Sequence, residues 1–165
     1  MSSAHEWVQM IDASGAPCGA TTRARMRKLR LWHLTSQVFV CNSAGLLCVQ
    51  RRTQCKDVFP GAYDLAAGGV VAAGETVASG ARREVAEELG VKGVPLTFCF
   101  EQVYADASIC ARAGVFLTTY DGPLELQKSE VAAIDWLEPH KALALTPVTP
   151  DSLAALQRLL DEGWL

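Results

Sequence analysis

Apolar and polar residues alternate along most of the chain in short runs, and turn residues separate these runs. The alternation predicts strands at residues 6–11, 16–20, 34–41, 46–51, 96–104, 110–120 and 130–137, with shorter extended pieces at 63–67 and 69–72. Turns are predicted at residues 12–15 and 42–45, each of which ends in glycine. The strands on either side of each turn are therefore expected to pair.

Three other segments have the residue spacing of helices. The first is predicted at residues 22–30. The second should begin after Thr76 as its N-cap and stop at Gly90, and the third should begin at Thr149 and end at Gly163. The second has an apolar stripe that consists of Val77, Ala78, Ala81, Val85 and Leu89.

Strands interleaved with few helices predict an α/β fold in which a mixed β-sheet lies between helices. The chain has 165 residues and half of them are hydrophobic, so we expect one domain over residues 1–165. Within it, residues 1–33 should form an N-terminal hairpin and helix, residues 34–137 the core, and residues 149–163 a C-terminal helix.

The charge of the chain bears on its partners. The net charge of −3 predicts neither nucleic acid nor a membrane as a partner, because no broad basic surface is expected. One segment, residues 21–30, is locally basic and contains Arg23, Arg25, Arg27, Lys28 and Arg30. Short charged runs usually form solvated helix faces, and we favour that interpretation here.

The six cysteines show neither C-x-x-C pairs nor zinc-like spacing with histidine. Most lie in apolar strand-like runs, where a free cysteine behaves as a small hydrophobe. A reduced, cytoplasmic setting is therefore expected. The polar N-terminus does not resemble a signal peptide, and no apolar run approaches the length of a membrane span.

The chemically distinctive segment is residues 69–91, which joins a glycine-rich stretch to an acidic helix. On that helix Glu84, Glu87 and Glu88 lie at positions i, i+3 and i+4, so their carboxylates crowd one edge. Arg83 offsets part of the repulsion. A hard divalent cation such as Mg²⁺ or Mn²⁺, which prefers oxygen ligands, would offset the rest. The alternative interpretation is a solvated acidic face.

Residues 69–91 match the spacing G-x5-E-x7-R-E-U-x-E-E-x-G-U, where U is aliphatic. This is the signature of the Nudix family, and the chain resembles a Nudix hydrolase. The resemblance implies an α/β/α sandwich and the hydrolysis of a diphosphate bond in a small molecule, such as a nucleoside diphosphate linked to another group. It also implies that Glu84, Glu87 and Glu88 hold Mg²⁺, with Mn²⁺ as a substitute. Gly69 would let the backbone approach the substrate closely.

The same resemblance leaves the general base open. Glu87 is the first candidate and Glu84 the next, while Arg83 should orient the glutamates rather than contact the substrate. Three carboxylates outside the motif are further candidates: Glu101, Asp106 and Glu130.

Over roughly residues 6–137 the chain also resembles isopentenyl-diphosphate isomerase. The shared features are the N-terminal hairpin, the segment 31–34, the paired arginines ending in Arg52, and Lys56 before Pro60. Arg52 and Lys56 match positions that contact the diphosphate in those enzymes. An arginine fork and a lysine charge both suit phosphate oxygens.

The catalytic groups of the isomerases are missing from this sequence. Residues 66–70 contain neither cysteine nor histidine, and residues 108–114 contain no carboxylate. His33 matches one metal-binding histidine, and is interpreted as a relic of that site or as a core histidine. A hydrolase is therefore favoured over an isomerase-like enzyme or a non-catalytic ligand-binding module. Substrate choice is assigned to residues 103–109 and 121–129, and a homodimer is left open.

Overall fold

The computed structural model describes residues 3–165, in which nine strands form one sheet. The strands are β1 (Trp7–Ile11), β2 (Pro17–Thr22), β3 (His33–Cys41), β4 (Leu47–Arg52), β5 (Tyr63–Asp64), β6 (Ala67–Val70), β7 (Thr97–Ala105), β8 (Cys110–Thr119) and β9 (Val131–Leu137). All seven of the longer predicted strands are present, with ends within two residues of the prediction. The central strands β3, β4 and β8 are buried on both faces, so in the sequence they are short apolar runs bounded by turns.

Four helices accompany the sheet: α1 (Arg23–Leu29), α2 (Val77–Leu89), α3 (Pro139–Ala142) and α4 (Pro150–Asp161). The prediction missed α3, since four residues are too few to show a helical period. None of these helices, in the part of the chain that the structure describes, has the length and apolar character needed to cross a membrane.

The predicted ends of α2 are confirmed. The predicted start of α4 is confirmed in its position, but the expected capping hydrogen bond is not formed. Thr76 accepts a hydrogen bond from the backbone N–H of Ser79, and Gly90 ends α2 in the left-handed conformation at φ 72°. Thr149 does stand at the N-cap position of α4. Its hydroxyl, however, donates to Asp64 instead of capping a helical N–H. The tertiary contact therefore replaces the local cap.

β3 lies at the centre of the sheet. It pairs in parallel with β8 from His33↔Ala111 to Cys41↔Thr119, and antiparallel with β1, β4 and β6. The mixed sheet predicted from the sequence is thereby confirmed. Its β3–β6 pairing matters for function, because it sets the glycines of β6 beside the middle of β3.

Helices cover both faces of the sheet, as the alternation along β3 shows. Phe39 packs in a core that includes Leu156 of α4, whereas the neighbouring Val38 packs in a core that includes Val85 of α2. Adjacent residues of a strand point to opposite faces, so the two helices lie on opposite sides. The predicted α/β/α arrangement is confirmed.

A third and smaller core fixes α1 next to β6. Met26 is 1% exposed and packs with Val8 and Val70. Arg23 and Arg27 are four residues apart on the same helix, so they share a face beside this contact. Burial of Met26 thus brings two arginines to the edge of the sheet where β6 ends.

Candidate active site

The glycines of β6 lie directly against β3 and α2, with no space for side chains. A Cβ at Gly68 would lie 2.0 Å from the carbonyl oxygen of Ser36, and one at Gly69 would lie 2.5 Å from Oε1 of Glu84. Gly74 turns the following loop at φ 82°. The glycine-rich stretch therefore brings backbone and acidic helix together, as its composition predicts.

Alanine at these two glycines is expected to have different effects. Gly68→Ala meets rigid backbone at 2.0 Å and should destabilise the fold by about 3 kcal/mol. Gly69→Ala meets a carboxylate that can rotate away, and should destabilise by about 1 kcal/mol while misplacing Glu84. Urea unfolding beside an activity assay separates the two. Equal stability losses would contradict the distinction.

Arg83 organises the acidic groups around α2. Its Nε and Nη2 donate to the two carboxylate oxygens of Glu75, each at 3.0 Å, and its Nη1 donates to Glu84 at 2.7 Å. Nη1 also lies 3.4 Å from Glu87, and Nη2 donates to the carbonyl of Val70 at 3.3 Å. These bonds, with Glu75 foremost, raise the pKa of Arg83. The guanidinium is occupied by protein groups, which supports an orienting role.

Glu88 is the most deeply buried carboxylate of the motif, at 6% exposed. Its Oε2 accepts hydrogen bonds from Nε2 of Gln50 at 3.3 Å and from the N–H of Gly68 at 3.2 Å. Burial raises the pKa of Glu88 to about 8, and the charges of Glu84 and Asp64 add to the rise. Within residues 3–165, Glu88 takes part in no salt bridge. A bound cation would stabilise its charged form.

The three glutamates do not occupy equivalent places. The side chain of Glu84 is 13% exposed, and burial raises its pKa against the opposing charge of Arg83. The side chain of Glu87 is 50% exposed. Residues 3–165 contain no group of three or more His, Cys, Asp or Glu side chains already arranged to hold a metal. Glu84 and Glu88 fit a hard divalent cation by burial and oxygen donors, whereas Glu87 would have to turn inward.

A cleft of about 660 Å³, open to solvent, lies beside Gly68 and Gly69. Its walls come from α1, β3, β6, the loop between β4 and β5, and the start of α4. Four of its lining side chains are cations: Arg23, Arg27, Arg52 and Lys56. The charge of these side chains suits an anionic ligand.

Arg52 and Lys56, predicted to contact substrate phosphates, both line this cleft, but protein groups already engage them. Arg52 donates to the carbonyls of Val58 and Phe59 at 2.9 and 3.2 Å and to the carboxylate of Asp64 at 3.0 Å. Lys56 pairs with the carboxylate of Glu130. Arg52 therefore holds the loop that follows β4. Arg52 uses three of its five donors on these groups and Lys56 uses one of its three, so each side chain keeps two donors for a phosphate.

His33 is buried, at 1% exposed, and its Nδ1 lies 2.9 Å from the carbonyl oxygen of Leu31. Burial lowers the pKa of His33 to about 4, and the charge of Arg27 acts in the same direction. The ring is therefore neutral near pH 7, with Nδ1–H donating. This environment is that of a core histidine.

His33 should make the protein sensitive to acid. Its pKa is about 4 in the folded state against an ordinary 6.5, so the unfolded chain holds more protons between these values. The free energy of unfolding should then fall by about 3 kcal/mol as pH drops from 6.5 through 4. Urea titrations of the wild type and His33→Gln measure this, because glutamine does not titrate. A stability difference between the two that is constant with pH would contradict the prediction.

The start of α4 contributes a partly buried carboxyl group, that of Asp151, to the cleft. Asp151 accepts a hydrogen bond from Nε2 of Gln37 at 3.0 Å, and burial raises its pKa to about 6. Oε1 of Gln37 and Oγ of Ser36 are buried, and neither has a hydrogen-bond partner within residues 3–165. The sequence alone does not single out Asp151, because an acid in the first turn of a helix is already explained by helix electrostatics.

The carboxylates proposed as bases outside the motif are mostly occupied elsewhere. Glu101 is exposed and pairs with Arg112 at 2.7 Å. Asp106 accepts hydrogen bonds from the backbone of its own turn. Glu130 lies beside the cleft, where it pairs with Lys56. Of the three, Glu130 is therefore the one that the fold pairs with a cation of the cleft.

The expectation that the basic segment is a solvated helix face is wrong for two of its members. Arg25, Lys28 and Arg30 are exposed. The side chains of Arg23 and Arg27, however, are only 15% and 20% exposed, and both line the cleft. Their spacing of four residues on either side of Met26 was the available signal for a buried face.

The structure thus has a mixed sheet between helices, with the buried Glu88 and the largely buried Glu84 beside a cleft lined by cations. The model of the NUDIX domain matches residues 31–159. The chain therefore belongs to the Nudix family of hydrolases.

Relatives agree along nearly the whole chain. A Nudix hydrolase of Pseudomonas aeruginosa is 40% identical over 163 residues, which cover 94% of each chain. One from Yersinia pestis is 39% identical over 160 residues, covering 96% of this chain and 87% of the relative. Since coverage is high on both sides, the similarity extends well beyond the motif.

Solved structures show the same fold at lower identity. A protein of Deinococcus radiodurans has a TM-score of 0.81 at 23% identity, and the alignment covers 93% of this chain and 98% of the Deinococcus protein. The dihydroneopterin triphosphate pyrophosphohydrolase of E. coli has a TM-score of 0.61 at 20% identity, covering 78% of this chain and 95% of its own.

Proposed function

We propose that this protein uses a divalent cation such as Mg²⁺ to hydrolyse a diphosphate bond in a small molecule bound in the cleft beside Gly68 and Gly69. The observation that carries the proposal is the burial of Glu84 and Glu88 against β6, at the edge of a cleft lined by cations. Two adjacent buried carboxylates lower the stability of the protein by itself, and binding a cation relieves this.

The glutamates and Arg83 would have separate roles in this reaction. Glu84 and Glu88 would hold the cation, with Glu87 joining directly or through water. When bound, the cation polarises phosphate oxygens as a Lewis acid. Glu87 is the first candidate for the base that takes a proton from the attacking water, because its side chain is half exposed to solvent, and Glu84 is the next. Arg83 keeps these glutamates in position through its bonds to Glu75 and Glu84.

The proposed substrate is a nucleoside diphosphate linked to another group, or a similar small diphosphate. The four cations that line the cleft support a ligand of that charge. Ile109 lines this cleft and Ser129 lines a neighbouring hollow, so both loops assigned to substrate choice reach the region. The E. coli neighbour named above is a triphosphate pyrophosphohydrolase, which supports testing nucleoside triphosphates first.

The test is release of phosphate and pyrophosphate from a panel of compounds at millimolar Mg²⁺. The panel contains nucleoside triphosphates, nucleotide sugars, dinucleotides and isopentenyl diphosphate, with the Glu88→Gln variant measured in parallel. Turnover that needs Mg²⁺ and disappears in Glu88→Gln is the expected result. Rearrangement of isopentenyl diphosphate without phosphate release would instead identify an isomerase, and binding without any turnover would identify a non-catalytic module.

A further inference from the structure

Three cations stand between two hollows of the protein. Arg23, Arg27 and Lys56 line the cleft beside the glutamates, and the same three side chains line a second hollow of about 870 Å³, open to solvent. The second hollow also contains Asp57. A ligand that reaches from one hollow into the other must therefore pass over these three positive charges.

Both arginines carry a buried donor that the protein leaves unused. Nε of Arg23 and Nε of Arg27 are buried, and neither has a hydrogen-bond acceptor in the described residues. The carboxylate of Asp57 lies 3.9 Å from the first and 3.6 Å from the second, beyond hydrogen-bond distance. Buried donors without acceptors are costly, so this pair is suited to an anion that supplies the missing acceptors.

The cations lie close enough to the acidic helix for their charges to interact with it. Burial raises the pKa of Glu84, and the charges of Arg83 and then Arg23 oppose the rise. Burial likewise raises the pKa of Glu88, and the charge of Lys56 opposes that rise. Gly68 and Gly69 line the same cleft as Arg23 and Lys56, and they lie against Glu88 and Glu84, so an anion bound to these cations would be a neighbour of the cation-binding glutamates.

We infer that Arg23, Arg27 and Lys56 form a subsite for the terminal phosphate of the substrate. The protein would then prefer compounds that end in a free phosphate over compounds whose diphosphate is bridged between two organic groups. A terminal phosphate brings close to two negative charges and three acceptor oxygens, which match three cations and two unused donors. This inference rests on the proposed function, which places the diphosphate bond that is cleaved beside Glu84 and Glu88.

The carboxylate of Asp57 competes with this phosphate for Arg23 and Arg27. Its side chain is 47% exposed, and it lies between the two arginines without forming a hydrogen bond to either Nε. A bound phosphate would replace it with closer acceptors. Removing its charge should therefore strengthen phosphate binding, whereas removing either arginine should weaken it.

The first experiment measures binding of methylenediphosphonate by calorimetry, since its P–C–P linkage resists hydrolysis. We expect Arg23→Gln and Arg27→Gln each to raise the Kd by about tenfold or more, because each loses charge-assisted bonds. Asp57→Asn should lower the Kd by about threefold. The matched control is Arg25→Gln, which removes an exposed arginine from the same helix and should change the Kd by less than about twofold.

Folding and binding are kept apart by two further measurements. Circular dichroism melting checks each variant, and Arg27→Lys retains a positive charge where glutamine does not. Lysine should bind methylenediphosphonate more tightly than glutamine and less tightly than arginine, because it lacks the planar fork. Unchanged binding in both arginine-to-glutamine variants, or no binding of methylenediphosphonate by the wild type, overturns the subsite.

The second experiment compares kcat/KM for a nucleoside triphosphate with kcat/KM for a nucleotide sugar. The inference predicts at least a tenfold preference for the triphosphate, and Arg27→Gln should reduce that preference. Equal kcat/KM values for the two substrates that still require Glu88 would overturn the inferred preference but support the proposed hydrolase function. Arginine-dependent binding of methylenediphosphonate without any hydrolysis would retain the subsite and overturn the proposed function.

Discussion

Replacement of Glu88 by glutamine is expected to lower kcat by about 10³-fold at saturating Mg²⁺. The variant keeps the shape of the side chain and the bonds from Gln50 and Gly68, because an amide oxygen can accept them. It loses the negative charge that would hold the cation. Glu84→Gln should have a similar effect for the same reason. A loss smaller than about tenfold in steady-state assays would remove these residues from the site.

The same substitution should stabilise the protein when no metal is present. The pKa of Glu88 is about 8 in the folded state against an ordinary 4.5, so the folded protein holds more protons than the unfolded chain between these values. The free energy of unfolding therefore falls as pH rises through this window. Glutamine does not titrate, and Glu88→Gln should be more stable than wild type by on the order of 4 kcal/mol at pH 8.

Denaturant titrations in a metal chelator, repeated from pH 5 to pH 8, measure this gain. Added Mg²⁺ should stabilise the wild type and leave Glu88→Gln unchanged, since only the former binds it. The matched control is Glu87→Gln on the same helix, where the half-exposed side chain should change stability by under about 1 kcal/mol. A Glu88→Gln variant less stable than wild type at pH 8 would show that its charged form is well accommodated.

Arg83→Met is expected to lower both stability and activity. Arg83 bonds Glu75 through two nitrogens, contacts Glu84 and Glu87, and caps the carbonyl of Val70. Its loss leaves three carboxylates facing one another without their shared cation. Because the guanidinium is 28% exposed, we expect a loss of about 2–3 kcal/mol, below that of a fully buried pair. The displaced Glu84 should lower kcat by about 10²-fold.

Arg82→Met provides the control for this prediction. Arg82 is the neighbouring residue, is exposed, and makes one side-chain bond, to the carbonyl of Ala78 in its own helix. Its substitution should change stability by under about 0.5 kcal/mol and leave kcat unaltered. Arg83→Lys should recover part of the stability but not the two-pronged bond to Glu75. Equal effects of the Arg82 and Arg83 substitutions would contradict an organising role for Arg83.

Patterns confined to one element were enough to predict most of the architecture. The apolar runs of β3 and β8 predicted buried strands, Thr76 and Gly90 predicted the caps of α2, and the spacing in α2 predicted the crowded glutamates. These properties depend on residues within a few positions of one another. The motif likewise depends on local spacing, since Glu84 and Glu88 must share a face of any helix that contains them.

What the sequence by itself determined was therefore the class of fold, the acidic helix and its family. Only the tertiary structure decided which charges enter the cleft. Arg23 and Arg27 turn inward because Met26 packs against Val8 and Val70 under α1. Asp151 is partly buried because α4 lies over β3. These outcomes depend on contacts between residues far apart in the chain, and such contacts cannot be predicted from the local periodicity of the sequence.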